Sequence, residues 1–226
     1  MSTPLENRLN LLNQMFLNYC TQIEENVQLA TQSFLKTDAK RIQDVIGNDH
    51  KIDQLELEIE EECLQIIARY QPLARDLRFI IGILKMNNDL ERIGDLAVNI
   101  VKKVIVFKNN QTSVSQQGNT FNLTEMIDET LNMLNKSIES FIKKDPALAR
   151  DVCKLDDKVD GLKREMKVLV LRKMKESPDQ MEQLVSILKN SSHLERIADL
   201  STNIAEDVIY WVDGDIIRHS RKIDNN

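Results

Sequence analysis

The sequence predicts an all-α fold of two tandem antiparallel three-helix bundles related by internal duplication, and three observations carry that expectation. The composition, with 42% hydrophobic and 29% charged residues but only 6 Gly, 4 Pro and 4% aromatics in 226 residues, suits long helices better than strands. Apolar residues recur at helical spacing through six long segments. The run Leu90-Glu91-Arg92-Ile93-Gly94-Asp95, followed by Asn99-Ile100, returns 104 positions later as Leu194-Glu195-Arg196-Ile197-Ala198-Asp199, followed by Asn203-Ile204. So long a match is a duplicated cassette, not chance.

The elements follow in order. Helical periodicity predicts helices from about Leu5 to Leu35, Asp38 to Tyr70 and Arg75 to Phe107, with breaks at 36–38 and at Gln71-Pro72, where proline forbids an uninterrupted helix. Residues 109–120 are polar and aperiodic and read as a linker. Three more helices are expected from about Phe121 to Ile142, Pro146 to Lys175 and Pro178 to Val212, the last two opening on prolines that a first turn tolerates. The halves also match at Phe34…Asp38 with Phe141…Asp145 and at Asp49…Asp53 with Asp156…Asp160, both offset by 107. A three-residue deletion before the third helix explains the later 104. The domains are therefore expected at 1–112 and 121–226, joined by 113–120, each a helical hairpin plus a third helix.

On the third helix the expected core stripe is Phe79, Met86, Leu90, Ile93, Ala97, Ile100, Val104 and Phe107. At 100° per residue, Glu91, Asp95 and Asn99 fall on nearly the opposite side and should be reachable from solvent. A single acidic i, i+4 pair is ordinarily a solvated helix face. Here Glu91/Asp95, Glu195/Asp199, Asp49/Asp53 and Asp156/Asp160 repeat the same unfavourable pairing, each costing roughly 0.2–0.5 kcal/mol. The repetition favours cation binding.

The candidate metal-ligating residues are Glu91, Asp95, Asn99, Asp49 and Asp53 in the first half, and Glu195, Asp199, Asn203, Asp156 and Asp160 in the second. Carboxylate and amide oxygens suit Mg, Mn, Fe or Ca, and suit Zn less, because His and Cys ligands are missing. Glu56 and Glu60 continue the acidic face of the second helix, whereas their counterparts are Lys163 and Lys167. Weaker cation binding is expected in the second half. Arg92 and Arg196 inside the cassettes are candidates either for salt bridges to the neighbouring helix or for partner contact, and His193 reads as a surface histidine.

Other classes fall away. Net charge is −6, and no helical segment offers a clustered basic face, which argues against a nucleic-acid partner. Cys20, Cys63 and Cys153 are odd in number and lie among apolar neighbours, so they read as reduced core thiols. No signal peptide opens the chain and no run approaches roughly 18 uncharged apolar residues, so a cytoplasmic protein is expected. Phosphate-cradling Gly-rich loops, His-Glu-x-x-His and recognisable nucleophile triads are missing, and the chain reads as a non-enzyme.

The two cassettes, with Asp49…Asp53, Asp156…Asp160 and the closing 210–219 segment, closely resemble the paired acidic motifs of the PhoU family of phosphate-signalling proteins. The likeness covers nearly the whole chain. It implies two tandem three-helix bundles, commonly a homodimer, with metal ions on the faces formed by those motifs. It also implies a cytosolic adaptor that negatively regulates phosphate uptake and phosphate-starvation signalling by contacting the phosphate ABC transporter ATPase and a sensor histidine kinase, reaching the membrane only through them. Two rivals remain open at this point: a metal-dependent enzyme with a carboxylate-bridged site on a helical bundle, and a structural scaffold whose acidic faces confer only solubility.

Overall fold

The computed structural model describes residues 3–36, 38–102 and 121–215. Six long helices make up the architecture: α1 (Pro4–Lys36), α2 (Ala39–Tyr70), α3 (Ala74–Lys102), α4 (Leu123–Lys143), α5 (Pro146–Glu176) and α6 (Met181–Asp213). A 3-10 turn, Pro178–Gln180, leads into α6. The sixth helix therefore starts three residues later than the proline suggested. The expected linker at 113–120 and the stripe positions Val104 and Phe107 lie outside the described residues, as does the part of the closing motif beyond Asp215.

The same turn chemistry builds both hairpins. Asp38 accepts from the backbone N–H groups of Lys40 and Arg41, and Asp145 accepts from those of Ala147 and Leu148, so each second helix opens on an aspartate cap. Cys20, Cys63 and Cys153 are free and buried, as expected of core thiols.

Helices α1, α2 and α3 pack on one another, as do α4, α5 and α6. Core residues of α1 recur at Leu12, Phe16, Tyr19, Ile23, Val27, Ala30 and Phe34, an alternating three-and-four spacing that keeps one seam facing its partners. In α2 the same spacing runs through Ile42, Val45, Asp49, Ile52, Glu56, Ile59, Cys63 and Ile66. Two carboxylates thus stand in seam positions. In α5 the seam is Ala149, Val152, Asp156, Val159, Lys163, Met166 and Val170.

The bundles lie side by side. α3 packs along α6, and α1 touches α4. The α3 and α6 helices run antiparallel, since Gly82 faces Trp211 while Lys85 meets Asp207 at 3.6 Å. Phe16, Phe79, Phe141 and Trp211 close one end of this junction, with ring centroids 4.9 Å apart for Phe16 and Phe141 and 5.1 Å for Phe79 and Trp211.

This second neighbour corrects the sequence reading of α3. A single apolar stripe was expected, but Ile80, Ile83, Leu96, Val98 and Val101 are buried too, and so are Asn87 and Asp89. One bundle needs one apolar face; a helix between two bundles needs two. From Asn88 onward, what stays open to solvent is the strip Asn88, Glu91, Arg92, Asp95, Asn99 and Lys102, so the acidic side chains keep their predicted outward position on a narrower face.

Gly94 sets how closely α3 approaches its bundle. A Cβ built there would lie 3.2 Å from Ile23 Cδ1 and 3.3 Å from Ile52 Cγ2, and Ile52 sits between the two acids of the α2 seam. Gly94→Val is expected to force α3 away from α2 and to lower stability by about 1–3 kcal/mol through overpacking. A denaturant midpoint unchanged from the parent protein would show that the contact has slack.

Candidate cation-binding faces

The first face is assembled by α2 and α3. Asp49 and Glu56 come from the α2 seam and are half-buried, Asp53 is exposed between them, and Glu91 and Asp95 come from the open strip of α3. These five belong together electrostatically. Burial pushes the Asp49 carboxyl above its ordinary range, and Asp53 on its own helix and Asp95 across the gap push it further, against an opposing pull from Lys102. Burial is also the main cause of the upward shift of Glu91, followed by Asp95, Glu56 and Asp53, with Arg92 pulling it back. Glu56 is raised by burial, then by Glu60 and Asp53.

The second face repeats the design with a built-in counterion. Burial, Glu195, Asp156 and Asp160 together raise Asp199 to about 6, while Lys163 opposes them. Lys163 occupies the seam slot that Glu56 fills in α2 and closes an ion pair with Glu195 at 2.9 Å. Part of the charge on this face is therefore already neutralised within the protein.

Not every candidate joins these groups. Asn99 is half-buried and lines a groove beside α6 together with Lys102, Lys189 and His193. Asn203 is half-buried one turn beyond Asp199. Arg92 and Arg196 both reach solvent, Arg92 near enough to Glu91 to ease its charge. Sequence reasoning missed Tyr19, which is fully buried beneath the first face with a hydroxyl that has no hydrogen-bond partner among the described residues. Its ionisation is suppressed by burial and further by Glu56, Glu91 and Asp53. The phenol stays protonated, with an O–H donor to offer.

Hard or borderline cations fit this donor set, because the face is all carboxylate oxygen and its charge is largely uncompensated. Among the described residues, however, no three acidic, His or Cys side chains already form a metal-holding group. The faces are open arrays of carboxylates, not finished chelates, so a cation would have to gather its ligands by side-chain rotation.

The PhoU domain family model matches this chain twice, over residues 16–104 and 123–208, which are the two three-helix units. The Thermotoga maritima protein named Phosphate-specific transport system accessory protein PhoU homolog 1 is 32% identical over 205 residues, covering 91% of this chain and 87% of its own. The crystal structure of PhoU from Pseudomonas aeruginosa superposes with a TM-score of 0.87 at 32% identity, covering 92% of this chain and 99% of that one. The phosphate transport system regulatory protein PhoU from Streptococcus pneumoniae gives a TM-score of 0.83 at 29% identity, over 94% and 98% of the two chains. No helix among the described residues is long and apolar enough to cross a membrane.

Raised carboxylates make stability depend on pH. Asp49, Glu56, Glu91 and Asp199, with Glu24 raised to about 7 mainly by burial, bind protons more tightly folded than unfolded, so stability falls as pH rises through their folded values. Cation-free protein is expected to melt a few degrees higher at about pH 5.5 than at about pH 7.5, because Asp199, raised to about 6, and Glu24, raised to about 7, lose most of their protons between those two pH values. Thermal melts at constant ionic strength check this, and a midpoint that rises with pH would contradict the electrostatic account.

Proposed function

Because this chain belongs to the PhoU family, whose relatives carry the names of phosphate-transport accessory and regulatory proteins, we propose that it is a cytoplasmic, non-catalytic adaptor restraining phosphate uptake and phosphate-starvation signalling. In this reading it binds cations on its two acidic faces and docks onto the ATPase of a phosphate ABC transporter and onto a sensor histidine kinase, as a homodimer. The observation that supports the cation part is the unfavourable placement of Asp49, Glu56 and Glu91, whose burial and repulsion by neighbouring acids hold their proton affinities up.

Asp49, Asp53, Glu91 and Asp95 would hold the ion on the first face, with Glu56 in reach, and Asp156, Asp160, Glu195 and Asp199 would do so on the second. Asn99 and Asn203 would add amide oxygens at the ends of the cassettes. A bound cation supplies positive charge that offsets the repulsion between the helices. The chain's own contribution is to keep those oxygens adjacent at a cost that neutralisation relieves, so that ion occupancy changes the surface a partner meets. Arg92 and Arg196, exposed beside each face, are the candidate contacts for an acidic partner surface.

The asymmetry of the faces gives the adaptor unequal sites. Lys163 competes with any ion for Glu195, and nothing equivalent stands at Glu56. Titration of full-length D49A/D53A and D156A/D160A variants is expected to show the tighter site lost in the first and kept in the second. Equal losses would remove the asymmetry from the account.

Replacing Glu91, Asp95, Glu195 and Asp199 by Ala is expected to abolish metal retention, to weaken chelator-sensitive capture of the transporter ATPase, and to derepress phosphate-starvation genes. Unaltered metal content and regulation in that variant would defeat the proposal. Retained metal with measurable hydrolase or oxidase turnover would instead favour an enzyme.

A further inference from the structure

The groove that Asn99 lines carries chemistry the acidic faces do not. It lies between the end of α3 and the first half of α6, has a volume of about 690 Å³, and is walled by Asn99, Lys102, Val185, Leu188, Lys189, Ser192 and His193. Lys102 and Lys189 are exposed, and neither is held in an ion pair among the described residues. Two ammonium groups, an imidazole, a hydroxyl and an amide thus share one concavity with an apolar floor, in a chain whose net charge is −6.

The duplication supplies an internal control. At the offset of 104 the positions of Asn99, Leu188 and Lys189 return as Asn203, Leu84 and Lys85, yet Lys102 is matched by Glu206 and His193 by Asp89. Lys85 is also neutralised by the buried Asp207, at 3.6 Å. The same helical framework is therefore acidic in one copy and cationic in the other. Helix packing has no need for that inversion, because both copies fold, but recognition of an anion does.

We propose that the groove bordered by Lys102, Lys189 and His193 is an oxyanion site that takes a phosphoryl group, as free inorganic phosphate or as a phosphate monoester. The lysines act as point charges toward phosphoryl oxygens. The Asn99 amide adds a neutral donor that orients them, while the Ser192 hydroxyl donates to the Leu188 backbone carbonyl. Lys102 also lies near Asp49, so an occupied groove would draw that lysine's charge away from the first acidic face. This goes beyond the cation reading and does not rest on it.

Calorimetric titration of the full chain, stripped of metal and dialysed free of chelator, tests the site with inorganic phosphate, glycerol phosphate, sulfate and a short Glu-rich peptide as probes. Saturable binding of phosphate or of glycerol phosphate is expected, the stronger of the two identifying the free or the esterified form. The K102E/H193D variant places in this groove the residues that the other copy already carries, and it should weaken that binding by about tenfold or more, as one attractive charge is reversed and a carboxylate replaces the imidazole. Should that variant fail to fold, Lys189→Met carries the same test with a smaller loss. Absence of saturable binding, equal affinity for sulfate, preference for the peptide, or affinity unchanged in the folded variants would each overturn the assignment.

Discussion

Acidic side chains in the seam of the second helix shape the rest of this molecule. Asp49 and Glu56 occupy positions where the three-and-four spacing calls for apolar residues, flanked by Val45, Ile52 and Ile59, which are fully or almost fully buried. Core packing on either side keeps those carboxylates partly out of water, and the close approach at Gly94 brings the acidic strip of α3 against them. Half-buried like charges are costly in a helical bundle. Elsewhere the protein pairs such groups, as with Arg8 and Glu62 between α1 and α2 or Lys85 and Asp207 between the bundles. On the first acidic face Lys102 and Arg92 offset only part of the repulsion among the described residues, and on that imbalance rests the case for an external ion.

Duplication followed by divergence explains why one fold presents several different surfaces. The seam slots repeat, but Glu56 becomes Lys163, and Tyr19, with its unpartnered hydroxyl below the first face, becomes Met126 at the offset of 107. At the far end of the third helices Lys102 becomes Glu206. The exchanges at 56/163 and 102/206 reverse charge, and Tyr19 to Met126 removes a buried hydroxyl, all within the same helical frame. A stable scaffold with two equivalent positions can vary its chemistry in this way without risk to the fold, since the apolar seam carries the stability.

Much of the architecture was legible in the residues because its signals are local. Pro72 and the aspartates before Lys40 and Ala147 mark helix ends through backbone chemistry, and the first three helices begin or end within a residue or two of the positions expected where they are described. The cassettes themselves announced the acidic faces. What periodicity could not disclose was the second neighbour of α3: an apolar stripe says that a helix packs, not on how many sides. The burial of Asp89 and the placement of Asn99 against α6 follow from that junction between bundles, whereas Asn87 is buried against α2, where its amide donates to the Glu56 carbonyl. Tyr19 escaped notice for a related reason, as an aromatic in a core stripe reads as packing until its hydroxyl is found without a partner. The interrupted seam of α2, with acids at the same phase in both halves, was the signal that could have shown which acids are desolvated.

If clustered, partly desolvated carboxylates form the first face, a cation should displace the protons they retain. The direct measurement is the number of protons released when Mn or Mg is titrated into metal-free protein, obtained from calorimetry in buffers of different ionisation enthalpy at about pH 5, just above the ordinary carboxylate range, and at about pH 8. The account predicts release at the lower pH that falls away at the higher one and is lost when Asp49 and Glu91 are replaced by Asn and Gln. Cation binding without proton release at the lower pH, or no binding at either, would contradict it.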